Sequence, residues 1–163
     1  MIRVVLTVLL AVALLAVSMP TLEDARTDTT AERLGTETDR LERAAGGLAA
    51  DSVAVGDPDL AARTSLVVSA PTGFAAAPID RLALANPSRT EVAAADRLSE
   101  GTVVLVYRLR HGPIRSVPVA PPTDAVGISL ENGPIELDSG GATGLELRLV
   151  DEGGPTVRIV RVA

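Results

Sequence analysis

The stretch from Ile2 to Met19, IRVVLTVLLAVALLAVSM, constrains this chain more than any other. Only Arg3, Thr7 and Ser18 interrupt its apolar character, and no other segment is both as long and as apolar. A helix over it is about 27 Å long, against roughly 30 Å of bilayer hydrocarbon. Running on through Pro20 to Leu22 closes the difference. The expectation is a transmembrane helix in residues 1–22, with Val4, Val5, Leu6, Val8, Leu9, Leu10, Val12, Leu14, Leu15 and Val17 facing lipid. Arg3 precedes the run, and Glu23, Asp24 and Asp28 follow it. Positive charge stays inside, which predicts a single-pass protein of the cell membrane with a cytoplasmic N-terminus and an extracytoplasmic head. The same residues also fit a secretory signal: a basic start, an apolar core from Val4 to Val17, and small residues Ala16 and Ser18 flanking a cut near Ser18. That alternative is a secreted β-rich binding module. A lipid-modified anchor would need a cysteine, and the chain has none.

Residues 23–50 change period. Ala31, Leu34, Thr38, Leu41, Ala45 and Leu48 recur in steps of three and four, the spacing of a heptad seam. Acidic and arginine side chains fill the other faces, and Glu37–Arg40 and Asp39–Arg43 are spaced to pair along a helix. Such a seam packs either on the chain's own head or on partner helices. A helix from Thr21 to Ala50 would extend about 45 Å, longer than a small β domain needs. Leu34 and Leu41 are therefore expected to be exposed in a monomer and open to a partner helix.

Residues 51–63 read as a linker around Gly56-Asp57-Pro58-Asp59, and 64–163 as a β-rich head. Ser65–Ser69 and the less regular Ile79–Leu84 form strands. Glu91–Arg97 fits either a helix or a short edge strand. Thr102–Arg110 is the clearest strand, alternating Val103, Leu105, Tyr107 and Leu109 with Val104, Val106, Arg108 and Arg110. Ile114–Val119 returns beside it, held to an edge by Pro118. Val126–Leu130 and Ile135–Leu137 flank Asn132-Gly133, a hairpin signal. Leu145–Leu149 and Thr156–Val162 complete the set. The fold class is α+β: an N-terminal transmembrane helix continuing into an amphipathic helix, then an antiparallel β-sandwich-like head. With aromatics at 1%, its core must be aliphatic.

Chemistry is sparse. His111, the only histidine, sits at a predicted hairpin tip. Asp51, Asp57 and Asp59 match no calcium-loop spacing. Gly140-Gly141-Ala142-Thr143-Gly144 joins two strands and opens no helix, so it lacks the helix N-terminus that phosphate cradling uses. No cofactor, metal or small-molecule substrate is expected, and the chain reads as no enzyme. A net charge of −6 disfavours nucleic acid. Arg108, Arg110 and Arg115 stand out as a possible docking patch for an acidic partner.

An apolar N-terminal helix, a nearby proline, a continuing amphipathic helix and a β head together resemble type IV pilin-like proteins. The segment MIRVVLTVLLAVALLAVSMPTLEDAR and the heptad after it look like a small family of haloarchaeal membrane proteins. The resemblance implies genes clustered with a secretion ATPase, and pilin-like or secretion-platform membrane proteins as partners. Pilins are usually cut after a charged leader and carry a Glu soon after the cut. Here only Met1, Ile2 and Arg3 precede the run and no acid interrupts it, which fits an unprocessed accessory component better than a major filament subunit.

All 15 basic residues are arginine, and acids outnumber them at 21. Such a Lys-free, carboxylate-rich composition resembles proteins adapted to concentrated salt, where charge repulsion is screened; codon bias with no adaptive content is the alternative. The isolated head should therefore lose cooperative thermal unfolding, followed by circular dichroism, as KCl is lowered from molar levels. Equal stability at low salt would overturn this reading.

Overall fold

A computed structural model describes residues 2–87, 102–110 and 112–162. His111 and the ambiguous Glu91–Arg97 segment lie outside the described residues, as do the side chains of 16–18 and Pro20.

One helix, α1 (Ile2–Asp51), joins the expected anchor and the expected heptad segment without a break. Its 50 residues make a rod about 75 Å long. The backbone stays helical through Pro20, although a proline supplies no N–H for the helical ladder. Threonines inside the helix are accommodated by donating their hydroxyls to the carbonyl one turn back: Thr30 to Arg26 at 2.9 Å and Thr38 to Leu34 at 3.1 Å. This matters most at Thr38, which is buried in the core and still fully bonded.

Among the described residues eight strands follow: β1 (Arg63–Ser69), β2 (Ile79–Ala85), β3 (Val103–Leu109), β4 (Ile114–Val119), β5 (Gly127–Leu130), β6 (Ile135–Glu136), β7 (Ala142–Asp151) and β8 (Pro155–Arg161). They form two four-stranded sheets, ordered β1-β7-β8-β5 and β4-β3-β2-β6. The expected β3–β4 hairpin is present, and Pro118 lies on the edge strand β4, where its missing N–H interrupts no ladder. The residues between α1 and β1 are tied to the sheet: Asp151 N–H donates to the Val55 carbonyl and Leu149 N–H to that of Ala62.

Two strand expectations need correction. Asn132-Gly133 does not close a hairpin. β5 before it belongs to one sheet and β6 after it to the other, so this turn, with Gly133 at φ 85°, carries the chain across the sandwich. Nor is the head wholly antiparallel, because β5 pairs parallel with β8. A turn signal reports the local bend and is silent on which strand the chain joins next.

The core lies between the sheets and α1. Leu145, Leu147, Leu149, Val157 and Ile159 face Leu82, Leu84, Val103, Leu105, Tyr107 and Leu109. Leu34, Leu41, Ala45 and Leu48 enter the same cluster from α1, which packs on β1, β7 and β8 of the first sheet and on β4 of the second. The core is aliphatic apart from Tyr107, while Phe74 is 88% exposed. Two glutamates of α1 reach both sheets. Glu42 accepts from the Ala120 N–H just past β4 at 2.6 Å, and Glu37 accepts from the Ser69 N–H of β1 at 3.5 Å while pairing with Arg40.

The expected exposure of Leu34 and Leu41 is therefore wrong. They are 0% and 2% exposed, and the seam is core. The part of α1 that projects from the head is the part before residue 23, not the heptad. The expected transmembrane helix is corrected as well. Among the described residues, no helix is long and apolar enough to cross a membrane. Glu23 and Asp24 follow the apolar run, and from Arg26 on α1 turns polar and packs on the head.

Because Leu34 is enclosed and Leu9 is not, the two positions should respond differently to truncation. Leu34→Ala should destabilise the head by about 2–5 kcal/mol, whereas Leu9→Ala should stay within about 0.5 kcal/mol. Urea unfolding midpoints measure both.

Candidate interaction site at the exit of the helix

α1 leaves the head beside the turn between β1 and β2 and the turn between β3 and β4. Thr30 fixes this junction. It is fully buried, accepts from the Ala77 N–H at 2.8 Å and donates to the Arg26 carbonyl. The Arg110 N–H in turn donates to the Pro78 carbonyl at 2.9 Å. These bonds hold residues 77–78 against both α1 and the end of β3.

Between them opens a cleft of about 500 Å³. Glu23, Arg26 and Thr27 form its helix wall, with Arg110 and Arg115 opposite. The Nε of Arg26 is buried and has no hydrogen-bond partner among the described residues. A carboxylate, Asp80, lies 3.8 Å from Arg110, and both groups are largely open to water. Asp80 takes that place because β2 shifts register between Ile79 and Arg81. Among the described residues, three arginines thus line the cleft with one lining carboxylate, Glu23, in a chain of net charge −6. Guanidinium groups bind carboxylate or phosphate through paired N–H donors.

The structure divides the three arginines singled out in the sequence. Arg110 and Arg115 share the cleft. Arg108 does not: inside β3 its register partners are Arg81 and Ile114, on the other face of the sheet from Arg115, while Arg110 lies past the end of the strand. Arg81 is held by Glu136 at 2.6 Å, and that hydrogen bond is the main cause raising its pKa above the ordinary arginine value. On the other sheet Glu146 does the same for Arg148, its hydrogen bond again the leading cause.

Sequence reasoning missed Arg26 and Thr30. The signal was present, because extending the three-and-four rhythm backward from Leu34 reaches Thr30 and then Arg26 or Thr27. The expected seam begins at Ala31, which is only partly buried, whereas Thr30 is the enclosed position. Of the expected seam residues, Leu34, Thr38, Leu41, Ala45 and Leu48 are buried on the head.

The expected lipid-facing residues lie along the projecting half of α1. Val4, Val5, Leu6, Val8, Leu9, Leu10, Val12, Leu14 and Leu15 are each 56–68% exposed. Consecutive positions are equally open, so no side of this half is covered. Val17 lies outside the described side chains.

The other chemical features are occupied by local structure. Asp57 accepts from the Asp59 N–H at 2.9 Å, closing a turn. Asp138 curls over the glycine-rich loop and accepts from the Gly140 N–H at 2.9 Å. A Cβ at Gly141 would stand 2.5 Å from its carboxylate. That loop is therefore filled by an acid of its own, which would repel a phosphate. Among the described residues, no three His, Cys, Asp or Glu side chains gather as metal ligands.

Thr30→Val keeps the shape of the side chain and removes the hydroxyl. The Ala77 N–H then loses its acceptor, at a cost of about 1–3 kcal/mol. Urea unfolding should show this loss, and the Ala77 amide should exchange faster with deuterium.

The chain matches the family described as a domain of unknown function, DUF7311, over residues 1–162, and belongs to it. Neither a curated protein nor a solved structure matches it.

Proposed function

We propose that this chain is a membrane-associated accessory component, minor-pilin-like, of a pilus or secretion assembly, with its head outside the cytoplasm. One observation carries the reading: α1 is apolar on all sides over Val4–Leu15, exposed there, and continuous with a half locked into the head. A helix that is hydrophobic all round calls for apolar surroundings. Burying each of its large side chains contributes on the order of 1.5–3 kcal/mol. A bundle of like helices supplies those surroundings without requiring a span. A head mounted on the far half of one long helix keeps its β surface clear of such a bundle. The resemblance to type IV pilin-like proteins points the same way, toward pilin-like or secretion-platform proteins as partners. A binding role, rather than catalysis, suits a cleft walled by arginines.

A second reading is a secreted β-rich module released near Ser18. It is favoured by the enclosed positions of α1, which begin at Thr30, so the core would survive the cut.

The two readings part on Leu9→Asp. In an assembly component this change should abolish co-purification with membrane partners while leaving the head's unfolding midpoint unchanged. In a released module it alters nothing in the mature protein. N-terminal sequencing gives the second test: a mature chain beginning near Met19 overturns the assembly reading. So does a deletion strain with normal filaments and secretion.

A further inference from the structure

We infer that the arginine cleft receives the acidic flank of α1 from a second copy of this chain, so that copies join side by side where their helices leave their heads. The inference rests on the reading that the apolar halves of α1 pack among like helices.

The exit of the helix is electrostatically two-sided. Arg26, Arg110 and Arg115 line one side, and Arg26 keeps a buried Nε with no partner among the described residues. Asp24 and Asp28 are exposed on the other. At 3.6 residues per turn they lie about 120° around the helix from the wall formed by Glu23, Arg26 and Thr27. Being four apart, they project together, one turn above the other. The acidic flank and the basic cleft therefore sit at the same height on different sides of one molecule.

When apolar halves pack in parallel, that height is shared between neighbours. The acid of one copy then meets the cleft of the next, while its own cleft stays open to a further copy. This is a heterologous contact, the kind that extends into a ring or a filament instead of stopping at a dimer. Copies of a chain carrying −6 repel one another overall. A local match of opposite charge offsets that repulsion at one register and penalises others.

The chain contains no cysteine, so introduced ones report without background. Full-length Asp28→Cys and a differently tagged Arg115→Cys are to be co-expressed, isolated in mild detergent and oxidised. A disulfide needs Cα atoms within about 7 Å, so it forms only where the two surfaces meet. The expected result is mixed-tag disulfide dimers with few same-tag ones. Same-tag dimers in equal amount, or none of either kind, overturn the inference. In a second arm, Arg110→Glu with Arg115→Glu should lower chemical cross-linking between copies at least about tenfold. Adding Asp24→Arg with Asp28→Arg should restore it. Cross-linking untouched by the first pair, or not restored by the second, overturns the inference. So does loss of binding to anionic phospholipid vesicles in the Arg→Glu pair without any mixed disulfide, which would assign the cleft to a lipid headgroup. If mixed disulfides are absent while the chain still co-purifies with membrane partners and Leu9→Asp still releases it, the inference fails and the assembly reading stands. If the chain never co-purifies with such partners, the assembly reading itself has failed.

Discussion

The enclosure of one helix face by two sheets is the contact on which the rest of this molecule depends. Leu34, Leu41, Ala45 and Leu48 complete a core that neither sheet closes alone, since the side chains joining them are aliphatic and the only aromatic there is Tyr107. Small residues at alternate seam positions let the backbone of α1 approach the strands closely. Thr38 fits because its hydroxyl is satisfied within its own helix. The described side chains of α1 before residue 23 lie outside that contact and are exposed.

The sequence revealed periodicity well and partnership poorly. The heptad, the β3–β4 hairpin and the edge position of Pro118 all follow from local spacing and backbone chemistry, and each is present. The destination of the seam did not follow. Leu34 and Leu41 look the same whether they face a sheet of their own chain or a helix of another. The Asn132-Gly133 turn was legible as a bend, but sheet membership is decided by contacts with strands far off in sequence. The parallel pairing of β5 with β8 has no local signature at all. The apolar run was visible at once. Its expected role as a span is not upheld: among the described residues no helix is long and apolar enough to cross a membrane.

The cleft shows a similar division. Arg110 and Arg115 were legible as charge close to a predicted turn. Their meeting with Arg26 required the path of a helix more than 80 residues earlier in the chain, and Arg108 dropped out because it is held inside β3 between Arg81 and Ile114, whereas Arg110 lies just past the end of that strand. A net charge of −6 describes the whole molecule and hides this reversal. Within about 10 Å, the screening length at moderate salt, local arrangement outweighs the sum.

The two glutamates that reach from α1 to Ser69 and Ala120 have a mechanical consequence. They fasten the rod to one edge strand in each sheet, on either side of the interdigitated leucines. Traction along the rod is therefore shared between both sheets and applied in shear, across many contacts at once. Peeling, which breaks contacts one at a time, is resisted because neither edge is free to lift. The head is thus a grip on its own shaft, built to hold under load along the axis.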